Sequence, residues 1–328
     1  MRLVTYEVGG KSLLGVILAG KVYDLQKSYA ALLKEQGNTL AEKVSAVRIP
    51  STMVAFIEGG EKALAAAKET VAYLEKTQLP GIDLFDVKLK APLMPTTIIC
   101  GGANFHDHLD ETHRSKPTEV EFFLKSPHAV ADPFQKVEYE ERVTRKYDYE
   151  VELGIIISKP ARQVKVEDAL DYVFGYTIFN DISARDRQVI PWGKDNFQLR
   201  FGEGKSYDTG APVGPWIVTK DELNDVSNLA LRTTISGELR QNNNMKNIIW
   251  NVPALVSFYS TYMTLSPGFL IASGTPGGPA LGSDVELGAD PYERKDGVKR
   301  GGYMQPKDVM RLEIEKIGVL ENQIDRLS

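Results

Sequence analysis

The segment Tyr147-Asp148-Tyr149-Glu150-Val151-Glu152-Leu153-Gly154-Ile155-Ile156-Ile157 constrains this chain more than any other. Aromatic and β-branched residues alternate with polar ones and then run into isoleucines, the pattern of a strand entering a core. Side chains in a strand alternate faces, so Glu150 and Glu152 project from one side, one two-residue repeat (about 7 Å) apart. The opposite face, Tyr149, Val151, Leu153 and Ile155, is apolar. Glu-x-Glu on a solvated face is ordinary and needs no partner. On a strand bound for the core, it calls for a cation.

A second segment sharpens the question. Phe174-Gly175-Tyr176-Thr177-Ile178-Phe179-Asn180-Asp181 is another apolar, strand-like run, and it stops on an acid. Ile182 to Gln188 follows and reads as the start of a helix, for which Asp181 taken alone is a natural cap. Taken with Glu150 and Glu152, Asp181 is a third carboxylate from a neighbouring strand, and three converging carboxylates raise one another's pKa values. A bound divalent cation removes that conflict. All-oxygen ligation with room for water suits Mg²⁺ or Mn²⁺, with Ca²⁺ also compatible, better than Zn²⁺.

All four histidines, His106, His108, His113 and His128, fall in one short segment. If residues 105–113 are helical, His108 and Glu111 share a face at i, i+3, where a carboxylate can orient an imidazole and make it a better base. A polar surface helix with two ordinary histidines is the competing reading. His106-x-His108-x-Asp110 is close to the HxHxDH zinc motif of metallo-β-lactamase-like hydrolases, but Glu111 replaces the last histidine and no downstream imidazole completes such a site. Gly204-Lys205-Ser206 is not a P-loop, because that motif requires glycine at 199, where Leu199 stands. What remains is Lys205 in a glycine-rich stretch, able to set one positive charge against an anionic substrate. Gly268 to Gly278 reads as a short strand ending in a tight turn, where backbone amides and the Thr275 hydroxyl can hold a carboxylate.

The ordered set GGANFHDHLDE (101–111), YDYEVELG (147–154), FNDISARDRQ (179–188), GKSYDTGAPVGP (204–215) and SGTPGG (273–278) resembles the fumarylacetoacetate hydrolase family, from about Pro92 to a GVLENQI near the C-terminus. The resemblance implies a mixed β-sandwich or β-roll catalytic domain. It implies that Glu150, Glu152 and Asp181 bind the metal and that His108 with Glu111 activates water. Lys205 then corresponds to the family's active-site lysine, and Gln188 and Thr275 to residues that contact substrate. The activity so implied is Mg²⁺- or Mn²⁺-dependent hydrolysis of a carbon–carbon bond in a 2,4-dioxo acid, of the kind met in aromatic catabolism. Metal-assisted enolate formation underlies it, with Lys205 stabilising charge on oxygen. Oxaloacetate decarboxylation, or a related lyase or isomerase reaction, is the alternative, since it needs the enolate but no attacking water. A non-enzymatic metal-dependent binding protein would have no use for a water-activating pair. Two stretches, 189–204 and roughly 279–302, are longer than in shorter members and are expected to shape the pocket mouth.

At 328 residues the chain exceeds the size at which one core stops growing. A small domain over 1–91 and a catalytic domain over 92–328 are expected, the boundary falling in the proline-bearing stretch Val87 to Pro95. The first contains strands Leu3–Tyr6, Ser12–Leu18 and Lys21–Asp24 and helices over Ser28–Lys43 and Glu61–Lys76. The second reads as mostly β, with a late helix over Asn251–Thr264, so the fold class is α+β, mainly β. A net charge of −5 argues against nucleic-acid binding, and no apolar run is long enough for a bilayer. The N-terminus lacks the features of a signal peptide, and the single cysteine, Cys100, suits a reducing compartment, so a cytoplasmic homodimer acting on a small keto acid is expected. The polar segment from Phe105 to about Glu121, with few residues suited to burial, is expected to be a lid.

Overall fold

The computed structural model describes residues 1–77, 79–192, 196–287 and 301–326. Its fold is α+β and dominated by strands, as the sequence implies. The two acid-bearing segments form adjacent antiparallel strands, Val151–Ile157 and Val173–Asn180, and every residue of both is buried. Burial on both faces is why Ile155, Ile156 and Ile157 run together instead of alternating with polar residues.

These strands lie inside a twelve-stranded sheet. From Val173–Asn180 the sheet continues through Ala211–Thr219 to the N-terminal strands Arg2–Val8, Lys11–Leu18 and Lys21–Asp24. In the other direction it passes Leu270–Ala272 and Ile98–Gly102 to end at Glu121–Lys125. A helical layer formed by Leu25–Glu35, Ala41–Arg48, Met53–Glu58 and Gly60–Leu74 covers one face. Leu33, Phe56 and Ala67 from that layer share a core with Ile98, Cys100, Ile156 and Phe174. The opposite face carries Val151, Leu153, Ile155 and Ile178. It packs on Leu231, Leu312 and Leu320 of a second, five-stranded sheet and on helix Val252–Tyr262.

Most N-terminal elements fall where the hydrophobic pattern puts them. The helix expected over residues 28–43 is two helices, because the chain turns at Gly37 (φ +80°) and the Asn38 side chain then accepts from the Leu40 amide. The stretch expected to be a strand or a linker contributes a strand, Lys88–Lys90, paired with Arg2–Val8. Both the sheet and its apolar layer therefore cross residue 91, and we propose that residues 1–91 buttress the catalytic part through this shared core. No helix among the described residues is long and apolar enough to cross a membrane.

Gly175 marks the tightest approach in the centre of the sheet. A Cβ there would lie 2.4 Å from the Val218 carbonyl oxygen, a backbone atom that cannot swing aside. Gly175→Ala should destabilise the protein by roughly 1–3 kcal/mol, the usual range for overpacking. A denaturation midpoint equal to wild type would show that the two strands separate at no cost.

Candidate metal centre and active site

Sheet register assembles the acids. Val151 pairs with Asn180, so one step further along the ladder Glu150 stands opposite Asp181, whose amide donates to the Glu150 carbonyl at 3.0 Å. Glu152 lies two residues on, on the same side as Glu150. The three buried carboxylates each offer an oxygen within 4.8 Å of the others. Asp181 does not cap a helix: Ser183–Ala184 pairs with Tyr147–Asp148, and the short helix Arg185–Gln188 starts only after it.

Three buried cations hold this cluster. Lys205 Nζ donates to Glu150 Oε2 at 2.6 Å and to Asp181 Oδ2 at 2.8 Å. Lys125 Nζ donates to Asp181 Oδ1 at 2.6 Å and to the Ile182 carbonyl at 3.0 Å. Arg185 donates through one nitrogen to Glu150 and through Nε to Asp148 at 2.8 Å. Lys205 ends a short helix, Phe201–Lys205, rather than standing in a loop, and two of its donors are on acids. Its position depends on Gly204, where a Cβ would meet Gln188 backbone at 2.7 Å.

Among the described residues, the charges do not balance. Glu150, Glu152, Asp181 and Asp148 oppose Lys205, Lys125 and Arg185, four against three. Burial alone would raise Glu150, but Arg185 and Lys205 beside it hold its carboxyl well below the usual range. Glu152 makes no ion pair among the described residues; its Oε2 accepts from the Gly274 amide at 2.7 Å. Burial, then the Asp181 and Glu150 charges, push its carboxyl well above the usual value. A hard divalent cation fits this donor set: oxygen-only, buried, and one charge short of neutral. The turn after Leu270–Ala272 thus does hold a carboxylate, but that of Glu152.

The histidine pair comes from helix His106–Glu111. His108 Nδ1 lies 2.7 Å from Glu111 Oε1, and the Gly278 amide donates to Glu111 Oε2 at 2.9 Å, fixing the carboxylate that orients the ring. His106, His113 and His128 are exposed. The segment is less polar in its packing than its sequence suggests, because Phe105, Leu109, Glu111 and Val120 are all buried. Asn104 clamps its start, donating to the Trp250 and Ser273 carbonyls at 3.0 and 2.7 Å.

His108, Glu150, Glu152, Asp181, Gln188, Lys205 and Thr275 line one cavity of about 220 Å³, with Glu111 directly behind His108. Gln188 Oε1 accepts from Arg185, which leaves the amide nitrogen to donate inward. Thr275 Oγ1 accepts from Gln241 Nε2 at 2.8 Å, so its own hydroxyl hydrogen is available. Both longer stretches reach this space: Val189, Phe197, Leu199 and Phe201 from one, Leu281 and Leu287 from the other. Residues 193–195 of the first and 288–300 of the second lie outside the described residues. Sequence reasoning missed Lys125, Arg185, Asp148 and Gln241. Arg185 and Asp148 sit inside motifs already singled out, and an acid cluster needing counter-charges was a signal to look for them.

Two measurements test this electrostatic account. Because Glu152 is protonated over a range where an ordinary glutamate is not, Mn²⁺ binding should expel a proton, and affinity should rise with pH. Calorimetry in two buffers of different ionisation enthalpy should give different apparent heats; identical heats would contradict it. Lys125→Ala removes one partner of a buried pair and should cost about 3–5 kcal/mol. A change under about 1 kcal/mol would mean that Lys125 is not needed to hold Asp181.

Comparison with known proteins identifies the family. The family model described as fumarylacetoacetate (FAA) hydrolase, C-terminal, matches residues 97–325. Oxaloacetate tautomerase YisK of Bacillus subtilis is 33% identical over 99% of this chain and 100% of its own length. The solved fumarylacetoacetate hydrolase of Exiguobacterium antarcticum superposes over the whole of both chains with a TM-score of 0.72 and 30% identity. The maleylpyruvate hydrolase of Sphingobium sp. SYK-6, solved with manganese(II) and pyruvate, gives a TM-score of 0.70 and 27% identity over the whole of both chains. Matched over most of its length by the family model, with motifs that close around one buried acid cluster, this chain belongs to the fumarylacetoacetate hydrolase family.

Proposed function

We propose that the protein is a divalent-metal-dependent enzyme that interconverts the keto and enol forms of oxaloacetate or a closely related 2-keto acid. The observation that carries this reading is the opening of the His108–Glu111 pair and the three-acid cluster onto one cavity. A proton-moving group and a cation site facing the same small space suit chemistry next to a keto group. The resemblance to an oxaloacetate tautomerase along nearly the full chain supports oxaloacetate over a diketo acid.

A Mg²⁺ or Mn²⁺ ion held by Glu150, Glu152 and Asp181 would supply Lewis-acid polarisation of a 2-keto carboxylate. The chain's own groups do the rest. Glu111 accepts from His108 Nδ1, so that nitrogen keeps its proton and Nε2 is the free base on the cavity side. His108 Nε2 takes the proton from the carbon beside the keto group and delivers it to the former keto oxygen to give the enol, and the reverse transfers restore the keto form. Lys205, with two donors on Glu150 and Asp181, keeps a third for the oxygen that gains charge. Thr275 and Gln188 donate to the substrate carboxylate and orient it.

A second reading, carbon–carbon bond hydrolysis of a 2,4-dioxo acid, has its own support. The Sphingobium relative is a maleylpyruvate hydrolase, and the apolar wall of Val189, Phe197, Leu199, Leu281 and Leu287 suits a longer acyl tail. In that reaction His108 Nε2 would take its proton from water.

Protein loaded with Mn²⁺ or Mg²⁺ should speed loss of the oxaloacetate enol absorbance well above the buffer rate, and chelation should abolish the effect until metal is restored. His108→Ala should lower the rate by at least ~10²-fold, the lower range for a lost general base. Metal binding should survive, because no histidine is a proposed ligand. If the wild type leaves the enol at its buffer rate but cleaves acylpyruvates, hydrolysis is the correct reading.

A further inference from the structure

We propose that Arg114 receives the distal carboxylate of a dicarboxylic 2-keto acid and that Glu121 holds its place when no substrate is bound; this rests on the keto-acid reading above. Among the described residues, Arg114, Arg185 and Lys205 are the lysine and arginine side chains lining the cavity. Two of them are committed. Arg185 is buried between Asp148 and Glu150, and Lys205 between Glu150 and Asp181. Among the described residues, a substrate whose keto-acid end lies over the acid cluster therefore finds no other exchangeable Lys or Arg charge for a second carboxylate.

Arg114 is exchangeable because its partner is not part of the cluster. Its guanidinium donates to both Glu121 oxygens, at 2.7 and 2.8 Å, and both side chains are about two-fifths exposed. Glu121 also lines the cavity, so this pair forms part of its wall. Exposed pairs contribute little to stability, so a substrate carboxylate can replace Glu121 with little penalty. Both bonds to Glu121 leave from one nitrogen, Nη2, and the planar guanidinium can turn its two-nitrogen fork to the second carboxylate.

The backbone delivers Arg114 to this position. Helix His106–Glu111 ends with His113 in the left-handed region (φ +51°). The His113 amide donates to the Asp110 carbonyl at 3.3 Å and the Arg114 amide to the Leu109 carbonyl at 2.9 Å. This is a Schellman-type close with a non-glycine residue at its strained position. It folds the chain back, so the helix that carries His108 also brings Arg114 to the same cavity. Glu121 opens the edge strand Glu121–Lys125, whose other end supplies Lys125 to Asp181.

The test compares oxaloacetate with its C4 amide, 2-oxosuccinamate, on Mn²⁺-loaded protein, reading dissociation constants by calorimetry and KM by enol absorbance. Wild type should bind oxaloacetate about 10–100-fold more tightly than the amide, the range for a hydrogen-bonded charge pair. Arg114→Gln should erase that preference while changing affinity for the amide less than about threefold. Arg114→Lys should restore part of it, and Glu121→Gln, which removes the competing carboxylate, should tighten oxaloacetate binding. Equal weakening of both ligands by Arg114→Gln, or an undiminished preference, overturns the assignment. Selective binding of oxaloacetate without turnover would instead overturn the proposed reaction and leave Arg114 in its role. Failure of wild type to bind either ligand would sink both.

Discussion

The structure depends on the burial of three like charges at the end of two paired strands. Glu150, Glu152 and Asp181 are each no more than 5% exposed, and isolated carboxylates so placed would give up their charge. The buried cations around Glu150 and Asp181 serve to prevent that for these two. Arg185 and the two lysines come from three separate segments, and each is at most 2% exposed. Breaking one such pair leaves an uncompensated charge, which is why buried pairs of this kind are costly to interrupt even when they add little net stability. Among the described residues, Glu152 is held by the Gly274 amide and no cation, and there the arrangement falls one positive charge short.

That shortfall links fold to chemistry. The ladder between Val151–Ile157 and Val173–Asn180 fixes the spacing of the acids on a rigid part of the sheet, whereas His108, the proposed base, rides on a six-residue helix. Its ties are specific: Asn104 at its base, Asn243 on Asp107, and the Gly278 amide on Glu111. The chain following Gly278 is fastened in turn, since Ala280 and Leu281 donate to Asp148, the acid that also grips Arg185. Loop, helix and acid cluster thus share hydrogen-bond partners, and a disturbance at Asp148 reaches Glu150 through a single guanidinium.

Much of this was legible in the sequence, for identifiable reasons. Strand alternation put Glu150 and Glu152 on one face, and i, i+3 spacing matched His108 to Glu111; both are local rules that tertiary context did not override. The pairing that brings Asp181 opposite Glu150 is non-local; the strand pattern only suggested it, and the family resemblance supported it. Long-range contacts explain the misses. Nothing near Lys125 signals that it will be buried against an acid fifty-six residues away. The break in the expected 28–43 helix was signalled by Gly37 and Asn38, but the surrounding helical periodicity masked it. The polar segment after Phe105 hid its few anchors because burial there is carried by isolated residues rather than by a stripe.

The most direct test of the central claim is a crystal structure of the protein grown with Mn²⁺ and oxalate, a mimic of the 2-keto carboxylate, with anomalous scattering recorded for manganese. One strong peak should appear within about 2.0–2.3 Å of an oxygen from each of Glu150, Glu152 and Asp181, with oxalate completing the shell and His108 outside it. A peak ligated by His106, His113 or another site, or no peak in the acid cluster at saturating metal, would contradict the account.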